Sequence, residues 1–378
     1  MGAAQSGSTT IPSAPEVYHK EFPLHGVLLS HVEEFIEAHG GREAFKGWTS
    51  DDVCQKIVKP MTERLQCSYV DLLRAIQHPA YKEGKKADVF VSHAWKCLFL
   101  DVVDTLLSHF AGRLDSIVVW FDVMTINQHT FAQWWSCERT CGGIKDIGYT
   151  VMVLTPWQDP FPLTRAWCLF ELYCTHKENC RFEVAMGPRE RKDFLAAIHS
   201  GQAGDVVNAM LAKIDVAKSE AGVQSDKERI HKEVRESVGF SQLNAMVLTL
   251  MRDWVIEVVR EEFDRRADTL GDSHPDSLTT MGNLAVLYVN HGRYAEAEPL
   301  YLDCLEKQRA VLGDSHRATL TTMGNLALLY YNQRRYAEAE PLYSDCLEKQ
   351  RAVLGDSHPN TLTTEKYLAM LRRAMSRS

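Results

Sequence analysis

Apolar residues along this chain change period several times, and the changes divide it. Over residues 16–86 they recur at helical spacing, as in Val32, Phe35 and Ile36, then Val53 and Ile57. Pro60 and the stretch Ser68 to Ala75 break that pattern into several short helices. From Ala87 onward, short apolar runs take over: ADVFVS (87–92), SIVVWF (116–121), TVMVL (150–154) and Phe182–Met186. Between them lie helical patterns: Phe99 to Phe110, and stretches near 133–147 and 164–178. Strands alternating with helices at this spacing predict βαβ units and a parallel sheet covered on both faces, over residues 87–216. Such sheets place their sites at the carboxyl ends of the strands. Here those ends are His93–Trp95, Asp122–His129 and Thr155–Pro162. Residues 217–267 return to helix: Ser225 with Glu228 has the pattern of a capping box, and Leu243 to Val258 carry a long apolar stripe.

The remainder, 268–378, repeats itself. Gly271, Gly313 and Gly355 are 42 apart within LGDSHPDSLTTMGNLAVLY, LGDSHRATLTTMGNLALLY and LGDSHPNTLTT. Each unit predicts two helices. Leu284, Ala285 and Leu287 face inward from the first, where Gly282 allows close approach of a neighbour. Ala295, Ala297, Leu300, Tyr301 and Leu305 face inward from the second. One unit cannot bury both faces, so the units must stack, with the shortened third as a terminal cap. The pattern resembles kinesin light chain-type tetratricopeptide repeats. The polar residues of the first helices, Thr280, Asn283 and Asn290 with Thr322, Asn325 and Asn332, are the expected contacts to a protein or peptide, since an amide can pair with a backbone. An internal role for Asn283 and Asn325, stabilising the helix pair, stands beside it.

Composition narrows the class. A net charge of −8 opposes a general nucleic-acid binder, which meets phosphates with a basic stripe. No run of residues reaches the length of a membrane span. The ten cysteines show no C-x-x-C spacing, so reduced, mostly buried thiols are expected. Cys137 and Cys141 lie one helical turn apart, but two small core hydrophobes is the better reading of them than a metal site. Residues 1–15 read as a disordered leader. Its start, Met-Gly-Ala-Ala-Gln-Ser, matches the myristoylation pattern at Gly2, which implies a cytoplasmic chain with weak, reversible membrane contact.

The α/β stretch also carries an ordered set of motifs: VFVSHAW (89–95), VVWFD (118–122), VMVLTPW (151–157) and RAWCLFELYC (165–174). It resembles a Toll/interleukin-receptor (TIR)-like domain, which implies a flavodoxin-like parallel sheet. Some TIR domains cleave NAD at the nicotinamide–ribose bond by means of a glutamate. The resemblance points to Glu138 as that residue, with NAD as substrate rather than cofactor, and to His93, Asp122 and Trp135 as its contacts. A carboxylate there can stabilise an oxocarbenium-like transition state, and a tryptophan ring can stack on the base. Solvated pairing with Arg139 or Lys145 is the plain alternative for Glu138. Glu171 is expected to be a buried acceptor for the Ser92 or His93 region, and His93 with Asp122 either an acid–base pair or a tie between strand ends.

Three functions follow as expectations. The first is a signalling adaptor whose α/β domain self-associates while the repeats hold a partner. The second is an NAD glycohydrolase regulated by the repeats. The third, cargo linkage as in a kinesin light chain, lacks the heptads that join such a chain to a motor.

Overall fold

The computed structural model describes residues 22–130 and 136–376. These fall into two compact units, one made of the residues up to Lys192 with Met210–Leu250, the other of Asp193–Ala209 with those from Met251 on.

The first unit is built on a five-stranded sheet: β1 (Val27–Leu28), β2 (Val89–Ser92), β3 (Val118–Phe121), β4 (Tyr149–Val153) and β5 (Arg181–Ala185). The order is β1-β3-β2-β4-β5, with β2, β3, β4 and β5 parallel and β1 antiparallel to β3 at one edge. Every residue of β2 and β3 is buried, as continuous apolar runs require when both faces are covered. Helices α1 (Leu29–Ala38), α2 (Phe99–His109), α3 (Cys137–Ile147) and α4 (Ala166–Lys177) pack around the sheet, with short helical turns between Gly41 and Ala75. The two-residue β1 is too short to show a period. Its approach to β3 depends on Gly26, where a Cβ would lie 2.3 Å from the Val119 carbonyl oxygen.

After β5 come α5 (Pro188–Ala197), a π-helical turn (Ile198–Gln202), α6 (Ala203–Leu211), α7 (Gln224–Ser237) and α8 (Phe240–Leu270). The capping box expected at Ser225 is not formed. Helix α7 already starts at Gln224, and its N-cap, Val223, makes no side-chain cap bond.

In the second unit the repeats are helix pairs: α9 (Pro275–Asn290) with α10 (Tyr294–Leu312), α11 (Arg317–Asn332) with α12 (Tyr336–Leu354), and α13 (Pro359–Met375) at the end. The repeated text GDSH explains the corners. Gly313 and Gly355 end their helices at φ +91° and +86°, which a side chain resists. His274, His316 and His358 then cap the next helices, each Nδ1 accepting the backbone N–H two residues on. Leu278, Leu320, Ala285 and Ala327 are wholly buried between the helices. The close approach expected at Gly282 is looser than the sequence suggested. A Cβ there would meet the Cys304 sulfur at 4.0 Å, an ordinary contact.

Candidate functional site

At the carboxyl ends of β2 and β3 a polar cluster forms. Ser92, the last residue of β2, donates its hydroxyl to Glu171 Oε2 at 2.6 Å. Glu171 sits mid-way along α4, half-buried. Burial pushes its carboxyl up to about 8, the Ser92 bond opposes that, and the charge of Asp122 adds to it. Asp122 follows β3, and burial raises its carboxyl too, against His93, the indole N–H of Trp95 at 2.6 Å and the backbone N–H of Val123 at 2.8 Å. The bond from Ser92 matches the structural role expected of Glu171. The added feature is a carboxyl that keeps its proton at neutral pH, which makes it a hydrogen-bond and proton donor.

His93 and Asp122 stand 3.6 Å apart, Nδ1 to Oδ1, too long for a hydrogen bond. The other ring nitrogen, Nε2, pairs with Ser50 Oγ at 2.9 Å. Serine, histidine and aspartate thus line up in the order of a hydrolytic triad. Ser50 is 0% exposed and His93 4%, so no substrate reaches the hydroxyl, and the line serves as a strut under the strand ends. Burial keeps the imidazole below its usual range, hence neutral. Ser92 and His93 are buried, whereas Asp122, Trp95 and Glu171 keep partial access to solvent.

Glu138 lies in the first turn of α3, exposed, beside Ser136, whose hydroxyl accepts the Arg139 N–H. No hydrogen bond or ion pair among the described residues joins it to the Glu171 cluster. Trp135 and Gly2 lie outside the described residues. The expectation of reduced thiols throughout is corrected at one place: Cys141 on α3 is bonded to Cys174 on α4. They are 33 residues apart, so no spacing motif could announce the pair.

A cavity of about 480 Å³ opens between the loop after β2 (Lys96), the loop after β4 (Asp159 to Arg165) and the stretch from Ala212 to Glu220, which supplies most of its wall. Strands β2 and β4 are neighbours although the chain leaves β2 for β3 on the other side, which makes this the crevice that open parallel sheets offer to ligands. Its lysines are largely matched: Lys213 pairs with Asp159 at 2.9 Å and Lys218 with Asp215 at 2.8 Å.

The six partner-contact residues divide in the second unit. Thr280 is buried and its hydroxyl bonds His199 Nε2 at 2.8 Å. The amide of Asn283 donates to the Ile198 carbonyl at 3.0 Å. Both therefore hold the chain's own 193–209 segment against α9. Thr322 is buried as well. Asn290 is exposed, but its amide nitrogen lies against Gly204, where a Cβ would come within 2.6 Å of it. Asn325 is half-buried and Asn332 exposed, so these two amides remain available along the first helix of the second repeat.

A family model described as tetratricopeptide repeat matches residues 276–349 and 319–378. No curated protein matches the chain. Among solved structures, the chain is similar to BtubC (BKLC) from P. vanneervenii at 14% identity, covering 64% of this chain and 82% of that one, with a TM-score of 0.32.

Proposed function

From a chain whose residues 276–378 are tetratricopeptide repeats, we propose a signalling adaptor: the repeats hold a protein or peptide, and a TIR-like α/β unit is the part they recruit. Repeats of this type generally serve protein–protein interaction. The observation that carries the reading is the division of the six polar residues. The amides of Asn325 and Asn332 stay accessible on the first helix of the second repeat, and Asn290 is exposed at the end of the one before it, whereas Thr280 and Asn283 are used internally. The TIR-like part is supported by the motif order and by parallel strands running β3-β2-β4-β5. The test compares tagged wild-type chain with Asn290→Ala/Asn325→Ala/Asn332→Ala. Loss of a specific co-purifying protein, at unchanged helicity and Tm, is expected. Equal capture by both would remove the groove from the proposal. Self-association of the α/β unit is checked by light scattering over a concentration series.

The second reading is NAD glycohydrolysis, and one observation favours it: Glu171 holds a proton at neutral pH beside Asp122 at the strand ends. Glu171 is then the proton donor of the site, and the charge-stabilising carboxylate that the resemblance implies stays Glu138. Full-length protein at high concentration is assayed for nicotinamide release. Glu171→Gln should lower turnover by at least ~100-fold, since a positioned general acid contributes about 100-fold or more. If only Glu138→Gln is inactive, Glu171 has no part in the reaction. No release from assembled wild-type protein would sink the enzyme. No described helix is long and apolar enough to cross a membrane. Attachment through Gly2 remains part of the proposal, read as a mass increase on co-expression with an N-myristoyltransferase.

A further inference from the structure

The helix that carries Glu171 is fastened at several points. Near its start the backbone N–H of Ala166 donates to the Glu220 carbonyl at 2.9 Å. Near its end Thr175 donates to the Thr150 hydroxyl at 2.9 Å. Between these, one turn beyond Glu171, Cys174 is covalently joined to Cys141 of α3, with Cα atoms 4.9 Å apart. We propose that the Cys141–Cys174 bond is a redox-controlled clamp on α4, opened by a dithiol, which sets how firmly Glu171 is held against Ser92. Its functional meaning rests on Glu171 being the reactive group of the α/β unit.

The surroundings give the exchange a direction. Cys174 is 0% exposed and Cys141 8%, so Cys141 is the less buried partner and the sulfur open to attack once the surrounding helix turns loosen. It bonds to the Cys141 sulfur, the Cys141–Cys174 bond breaks, and the Cys174 sulfur leaves with the electron pair and takes up a proton. That thiolate would lie in the last turns of α4, where the helix carbonyls disfavour negative charge, so protonation completes the release. The second thiol of the reductant then attacks the mixed disulfide and frees Cys141. The protein gains two thiols as the dithiol becomes a disulfide. Cys180 is the one free cysteine that is not buried, and its thiol lies 3.6 Å from the Ile144 carbonyl, one turn from Cys141 along α3. The other seven free cysteines are buried.

Full-length protein purified without reductant should show eight thiols after denaturation and ten after treatment with dithiothreitol. Native protein is then compared by hydrogen exchange. Amides of 166–177 should exchange at least ~10-fold faster after reduction, while those of 275–375 do not change. Cys141→Ser/Cys174→Ser should show the faster exchange with or without dithiol. Should that variant fail to fold, the reductant titration of wild-type protein decides alone. Ten thiols at the outset, or exchange over 166–177 indifferent to reduction, would overturn the clamp. None of these readouts uses turnover, so failure of Glu171 as a reactive group appears separately, in nicotinamide release.

Discussion

At the scale of single residues, Glu171 has the most to say. Its carboxyl ordinarily titrates near 4.5 and in the fold near 8. The unfolded chain gives up this proton around 4.5, while the folded chain keeps it until about 8. Folding stability must therefore fall as pH rises through that window, by up to about 1.4 kcal/mol per pH unit, and level off above it. Glu171→Gln keeps an oxygen for the Ser92 hydroxyl and cannot ionise. Its Tm should match wild type near pH 4.5 and exceed it increasingly toward pH 8; parallel curves would mean the carboxyl is not held up. Asn283 and Asn325 make a second comparison, since the sequence treats them alike. Asn283→Ala loses the bond to the Ile198 carbonyl and should lower stability by about 1 kcal/mol in denaturant melts, whereas Asn325→Ala should leave it unchanged.

At the scale of elements, glycine positions separate need from habit. Gly282 and Gly324 sit inside helices where a methyl group meets only a sulfur at 4.0 and 3.9 Å. Gly282→Ala and Gly324→Ala should each raise stability by about 0.5–1 kcal/mol, measured by urea unfolding; a decrease would show the helices packed closer than described. Three of the parallel strands were legible because buried β-branched runs have no other use, the fourth only as a short apolar run at 182–186, and the repeats because the text recurs. The antiparallel β1 was not, since two residues carry no period. The strand ends could be located as a site, and Glu171 could be expected to accept a bond from the Ser92 or His93 region, as it does across 79 residues. The rise of its carboxyl could not, since that depends on how deeply the fold buries it. Only the fold pairs Cys141 with Cys174, and His199 with Thr280.

At the scale of the molecule, α13 packs on the last helix pair of the array. Leu368 and Leu371 are buried there, and Tyr367 stacks on Tyr343 at 6.1 Å. Where earlier repeats have Met281 and Tyr288 at this level, α13 carries Glu365 and Arg372, as a cap that faces water should. Deleting 355–378 should uncover Tyr343 and lower both solubility and Tm; a truncated chain that melts like the full one would show that α13 covers nothing of consequence. The terminal Leu362 is 52% exposed where its counterparts Leu278 and Leu320 are buried, so the cap is incomplete on one side.

Synthesis on the ribosome adds a matter of timing. Asp193–Ala209 belongs with the repeats, yet ninety residues separate Asp193 from Asn283, which bonds its Ile198. At ~5–20 residues per second, this segment waits ~5–20 s for its binding surface to be made. During that interval it is an unpartnered amphipathic segment. Nascent chains stalled before residue 290 should be cut by protease within 193–209, and chains stalled after the array is complete should resist.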